Sequence, residues 1–179
     1  FYGQQHGAAP LQIQLNLNDS SACIVNQTVF DQKDLSVSVE LFDIHGKLIS
    51  EENYPASVKA NSVIVLKKVN TNLVKEDVFF LRFRLKDKDM VLKDENFYWL
   101  AKAGKSYEKL NELKPVELQI ENSLNTIQIN NPPGETAFFI RMKVVDEKSS
   151  ELVLPIFMSD NYITLLPGET KKITIDRSL

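Results

Sequence analysis

The chain has 179 residues, and 21 Lys plus Arg against 24 Asp plus Glu give a formal net charge of −3. Hydrophobic residues make up 43% and charged residues 25%, a globular balance that excludes wholesale disorder. A small charge of this sign argues against nucleic acid or an anionic membrane as partner, and no apolar run reaches the roughly 18 residues of a membrane span.

Phe1 is not an initiator Met, and no basic stretch followed by an apolar one opens the chain. The sequence therefore reads as a processed product or a piece of something longer. The lone cysteine, Cys23, offers no internal disulfide, so burial must hold the fold. The length allows one or two small domains.

Residues 1–9 form an extended lead-in, and strands are expected over 11–17 and 21–26. Val37, Val39 and Leu41 alternate with Ser36, Ser38 and Glu40, which puts the first set on a core face and the second in water. Asp43–Lys47 reads as a hairpin with Gly46 at positive φ, followed by strands over 47–53 and 62–69. Phe79, Leu81, Phe83 and Leu85 alternate with Phe80, Arg82, Arg84 and Lys86, and strands over 90–93 and 96–100 follow. Alternation stops over 101–115, where Tyr107, Leu110 and Leu113 line a short helical turn or anchor an extended linker before Pro115. It resumes with strands over 116–121 and 126–130 and a turn at Pro132-Pro133-Gly134. Phe138, Ile140, Met142 and Val144 then alternate with Phe139, Arg141, Lys143 and Val145. Strands over 151–158, 161–165 and 170–176 complete the pattern, with a turn at Pro167-Gly168. About a dozen short strands with turns this frequent predict an all-β fold of two antiparallel β-sandwiches in tandem, 10–100 and 116–179, joined by a 101–115 linker. A loose echo supports two similar modules: Phe79-Phe80-Leu81-Arg82 recurs as Phe138-Phe139-Ile140-Arg141, and Asp94-Glu95-Asn96-Phe97 as Ser159-Asp160-Asn161-Tyr162.

Chemistry is sparse. The two histidines, His6 and His45, sit in a Gly-containing stretch and a turn, far from cysteines or each other, which argues against zinc and against a nucleophile–base pair. The acidic cluster Asp87, Asp89, Asp94 and Glu95 fails the calcium-loop pattern, because Val91 and Leu92 occupy its fifth and sixth positions; a solvated hairpin accounts for it better. No Gly-rich phosphate loop is present, and no cofactor is implied. Asn18-Asp19-Ser20 and Asn26-Gln27-Thr28 match the glycosylation sequon.

The aromatic segments carry more. Asn96-Phe97-Tyr98-Trp99-Leu100 places Phe97 and Trp99 on one strand face and Tyr98 on the other. One face then fills a core, and the other packs on the linker, on a neighbouring domain, or against a sugar. Asp160-Asn161-Tyr162 divides in the same way between backbone-bonded turn residues and sugar or interface contacts. The candidate contacts are therefore Trp99, Tyr98, Asp160, Asn161 and Tyr162.

Three segments together resemble one family. Phe1–Gln14 resembles a passage from a catalytic barrel into the next β-domain, and Asn96–Leu100 resembles that domain's closing strand. Phe138–Arg141, Leu154–Tyr162 and Leu165–Glu169 resemble a final domain. The family is glycoside hydrolase family 2, in its β-mannosidase and exo-β-glucosaminidase branch. The resemblance implies that both sandwiches are immunoglobulin-like and stand at the C-terminus of a multidomain, retaining exo-glycosidase. It also implies that an upstream TIM barrel in the same chain is the partner, and that the two catalytic carboxylates, about 5 Å apart in retaining enzymes, belong to that barrel. No residue here matches their motifs. Relatives often continue past Ile173–Leu179 into another strand, so either that strand is lost here or the second sandwich is truncated, and an exposed edge is expected in both cases. Secretion to a periplasm or outside is the usual setting for such enzymes.

Three functions compete. The first is a non-catalytic pair of domains that buries apolar surface against the barrel. The second is a module that binds a β-linked oligosaccharide through Trp99, Tyr98 or Tyr162. The third is a cell-surface adhesion array. The fold alone separates none of them.

Overall fold

A computed structural model describes residues 7–153 and 155–176 of the chain. His6, most of the 1–9 lead-in and Leu154 lie outside the described residues. The chain divides into two compact units, which meet in sequence at Leu110 and Asn111.

The first unit contains β1 (Leu11–Asn16), β2 (Ser21–Asn26), β3 (Gln32–Phe42), β4 (Leu48–Val58), β5 (Ser62–Lys68), β6 (Val78–Lys86) and β7 (Leu92–Ala101). One sheet runs β1-β2-β5 and the other β4-β3-β6-β7, every pair antiparallel. The period of two explains the sandwich directly. Val37, Val39 and Leu41 from β3 meet Leu81, Phe83 and Leu85 from β6, and Ile13, Ala22 and Ile24 close the core from the opposite sheet. Each fully buried side chain of this size contributes about 1.5–3 kcal/mol of transfer free energy.

The expectation that the alternate set faces water needs correction. Phe80 is 0% exposed and Glu40 and Arg82 are 7% exposed, although all three point away from the core. Charge pairing and aromatic cover make this tolerable. Arg82 Nε donates to Glu40, Arg84 reaches both Glu40 and Glu95, and the Arg82 guanidinium lies 5.0 Å from the Phe42 ring centre. Phe80 packs at 5.3 Å on Phe97. Two strand lengths also differ from expectation. Leu92 and Lys93 join the 96–100 segment in one strand, β7, while Met90 and Val91 belong to the preceding turn, and β4 continues to Val58 because an edge strand tolerates Pro55.

The outer edge of β1 faces β7 across the sandwich, and side chains of β7 satisfy it. Asp94 Oδ2 accepts the Ile13 N–H at 2.7 Å, Asn96 Nδ2 donates to the Ile13 carbonyl at 2.6 Å, and the Tyr98 hydroxyl accepts the Leu15 N–H at 3.0 Å. Residues 94, 96 and 98 fall on one face of the strand by its two-residue period, so they form a side-chain ladder where a backbone ladder is missing. Beyond β7, Lys102 donates from N to Asp77 O and from Nζ to Val74 O, and Tyr107 meets Trp99 edge-on at 5.4 Å. A 3-10 turn covers Glu108–Glu112.

The second unit contains β8 (Gln119–Ser123), β9 (Thr126–Asn130), β10 (Ala137–Ile140), β11 (Phe157–Met158), β12 (Ile163–Leu165) and β13 (Thr170–Asp176). Its sheets are β11-β13-β9-β8 and the pair β10-β12. Ile129, Met158, Ile163, Leu165, Ile173 and Ile175 form the core, with Ile140, Met142 and Val144 packed against it. The expected strand over 151–158 is reduced to β11 and a single bridge between Val145 and Leu152. Asp146 accepts the N–H groups of Lys148 and Ser149 and turns the chain sharply, and Pro155 has no N–H for a ladder. β10 is short as well. The register between Ala137–Leu165 and Ile140–Ile163 carries one extra residue on β10, a β-bulge at which Phe139 adopts φ 56°.

Candidate functional site

Retaining glycoside hydrolysis needs two carboxyl groups facing one cavity, one of them with a raised pKa. Three carboxyls, Asp19, Asp87 and Asp146, are displaced downward. Lys93 above all holds Asp87 low, the Ser21 hydroxyl holds Asp19 low, and the Ser149 and Lys148 amides hold Asp146 low. The buried carboxylates of Glu40 and Asp94 bond to Arg82 and to the Ile13 amide. No group of three His, Cys, Asp or Glu among the described residues has metal-binding geometry. Burial and the charge on Asp19 push the Cys23 thiol up, away from reactive thiolate. Asn26 is 1% exposed, and its amide bonds to the Phe30 and Lys59 carbonyls, so this sequon serves the fold.

The five residues singled out from the sequence separate. Tyr98 lies inside the first unit, edge-on to Phe83 at 5.8 Å, with its hydroxyl in the β1–β7 ladder. Trp99, on the opposite face of β7, is 43% exposed beside Tyr107. The other three stand together in the second unit. Asp160 pairs with Lys171 at 2.7 Å and accepts the Asn161 N–H. Asn161 is a backbone mimic: its Oδ1 accepts the Met142 N–H at 2.8 Å, and its Nδ2 donates to the Met142 carbonyl at 3.0 Å. Asn161 Oδ1 also accepts the Tyr162 N–H, and Tyr162 follows at φ 57°.

Tyr162 does not stand alone. The Phe139 ring, raised by the β10 bulge, lies 5.3 Å from it at an interplanar angle of 44°. The Arg141 guanidinium lies 5.9 Å from the Tyr162 ring centre. Phe139 is 48% and Tyr162 43% exposed. A left-handed backbone costs a bulky residue about 1–3 kcal/mol, and this unit places it under both rings. Alternation along 138–145 already turns Phe139 and Arg141 outward. Their meeting with Tyr162 depends on the β10–β12 pairing, which one sequence does not reveal.

A concavity lies at the β4–β5 side of the first unit. Tyr54, Glu52, Lys67, Asn70, Val39 and Leu73 are among its lining residues. A bulge in β5 between the Cys23–Val65 and Ser21–Lys68 pairs helps bring Lys67 to 5.3 Å from the Tyr54 ring centre. The buried Tyr54 hydroxyl has no hydrogen-bond partner among the described residues, and burial, with Glu52 nearby, pushes its pKa up. The expected strand over 47–53 stops just short of it.

Residues 20–103 match the model of the Mannosidase Ig/CBM-like domain, and residues 96–178 match the Exo-beta-D-glucosaminidase Ig-fold domain. The chain is a tandem pair of immunoglobulin-like domains of glycoside hydrolase family 2. An exo-beta-D-glucosaminidase of Hypocrea jecorina is 24% identical over 98% of this chain and 23% of its own length. One of Arthroderma benhamiae is 28% identical over 94% of this chain and 22% of its own length. Among solved structures, the exo-chitosanase CsxA of Amycolatopsis orientalis superposes with a TM-score of 0.78 at 23% identity, over 97% of this chain and 24% of that one. The family 2 pair thus spans about a quarter of the length of these relatives.

Proposed function

We propose that the two domains are the non-catalytic C-terminal part of a longer β-glycosidase, where they pack against the catalytic barrel and hold its orientation. One observation carries the reading: two different immunoglobulin-like domain types of exo-glucosaminidases and mannosidases follow one another in a chain about a quarter as long as its relatives. The chemistry agrees. The buried carboxylates of Glu40 and Asp94 are tied to Arg82 and to the Ile13 amide rather than facing a shared cavity. Domains of this size bury a limited core and gain from a neighbour.

The test is turnover. The purified 179-residue chain is expected to leave nitrophenyl β-glucosaminide and nitrophenyl β-mannoside unhydrolysed. Hydrolysis that survives removal of trace contaminants overturns the proposal. In the longer protein, deleting the residues equivalent to the second unit, from Asn111 onward, is expected to lower the melting temperature of the catalytic domain, and an unchanged value removes the supporting role of that unit.

A further inference from the structure

We infer that Phe139 and Tyr162 form a stacking ledge for one pyranose ring of a β-linked oligosaccharide. The inference rests on the reading that these domains serve a β-glycosidase. It begins with strain. Two large aromatic residues occupy backbone conformations suited to glycine, at φ 56° and 57°, one on a bulge and one after the Asn161 clamp. Glycine or asparagine at either position would relax the backbone and leave the hydrophobic core untouched, since neither ring belongs to it. The strain holds both rings outside, 5.3 Å apart and tilted by 44°. Strained backbone that keeps apolar groups in water points to a surface used for contact.

Size and surroundings select the occupant. Rings of about 150–250 Å² each, a little under half exposed, offer about 200 Å² together, whereas a stable protein interface needs about 800 Å² from each partner. A single sugar ring fits the smaller area. Its C–H face lies on an aromatic face, and its hydroxyls need polar partners at the edge. Arg141, its guanidinium 5.9 Å from the Tyr162 ring centre, supplies donors there.

The experiment titrates the whole chain with β-1,4-linked hexasaccharides of mannose, of N-acetylglucosamine and of glucosamine, followed by calorimetry and by amide chemical shifts. At least one is expected to bind at millimolar concentration and to move the resonances of Phe139, Arg141 and Tyr162. Phe139→Gly and Tyr162→Gly are each expected to weaken that binding about tenfold while leaving the melting temperature equal or higher. Trp99→Ala is expected to leave binding unchanged. The inference is overturned if none of the three sugars binds, if the glycine variants bind as the original does, or if binding is lost only with Trp99→Ala. It also fails if the glycine variants melt lower, since the rings would then be serving the fold. A chain that neither binds sugar nor hydrolyses it refutes the ledge and leaves the accessory reading intact.

Discussion

Asp94→Ala tests how the first unit is closed. The Asp94 carboxylate is 8% exposed and accepts the N–H of Ile13, itself 0% exposed, at 2.7 Å. Alanine removes the carboxylate that accepts that amide and leaves too little room for bulk water. An orphaned buried donor costs about 1–3 kcal/mol, and loss of a hydrogen bond to a charged group falls in the same range, so a destabilisation of about 2–3 kcal/mol is expected. For a unit of about 100 residues that is a fall in melting temperature of roughly 8–24 °C. Asp94→Asn, which keeps an acceptor oxygen, is expected to lose about half as much. Urea unfolding of the whole chain measures the change, and native-state hydrogen exchange locates it. Ile13 N–H should lose protection well beyond Ile24 N–H, which lies on the interior strand β2 and faces Ile64 of β5. A change within about 0.5 kcal/mol, or equal loss at Ile13 and Ile24, would refute the idea that side chains of β7 replace a missing backbone partner.

Burial raises the Tyr98 hydroxyl above its ordinary value of 10, as it does Tyr54. The unfolded chain therefore ionises first, and stability held below pH 10 falls as pH rises toward the higher folded value. Tyr98→Phe should flatten that alkaline loss while lowering neutral-pH stability by about 1–2 kcal/mol, because Leu15 N–H loses its acceptor; parallel alkaline limbs would contradict this. Glu40→Ala leaves the Arg82 guanidinium buried without its carboxylate and should cost about 3–5 kcal/mol, whereas Glu40→Met with Arg82→Met should restore most of it; urea midpoints with unchanged m separate the two. Asn161→Ala frees both the N–H and the carbonyl of Met142 and should cost about 1–3 kcal/mol, with faster exchange at the Met142 amide as the signature.

Much of the fold was legible because the core obeys one period. The inward parity expected over 36–41 and 79–86 is the parity found, and turns fall where Gly46, Gly134 and Gly168 stand, each at positive φ. The failures share a cause: alternation tells which face a residue takes and says nothing about what lies over that face. Parity turns Phe80, Arg82 and Glu40 away from the core, yet neighbouring side chains cover all three. Over 151–158 the composition is that of a strand, but the Asp146 turn and Pro155 deny it a continuous partner. The site residues were harder still. Tyr98 and Trp99 are neighbours in sequence, yet one completes a hydrogen-bond ladder and the other meets Tyr107.

The sequence echo between Asn96 and Asn161 acquires a physical meaning from these contacts. Asn96 donates to the Ile13 carbonyl, with Asp94 accepting the N–H of the same residue, and Asn161 does both tasks for Met142 alone. In each unit a side-chain amide supplies what a neighbouring strand would otherwise supply, at a place where the regular pairing has given out. Such a clamp is specific about position, because donor and acceptor must meet one residue's N–H and carbonyl together. That rigidity is what a positive-φ aromatic requires. Tyr162 follows Asn161 directly and gives its own N–H to the same Oδ1, so the clamp that holds Met142 also fixes the backbone from which the exposed ring projects. Removing the clamp should therefore loosen the ledge and the fold together, whereas relaxing the strained residue itself should affect only the ledge.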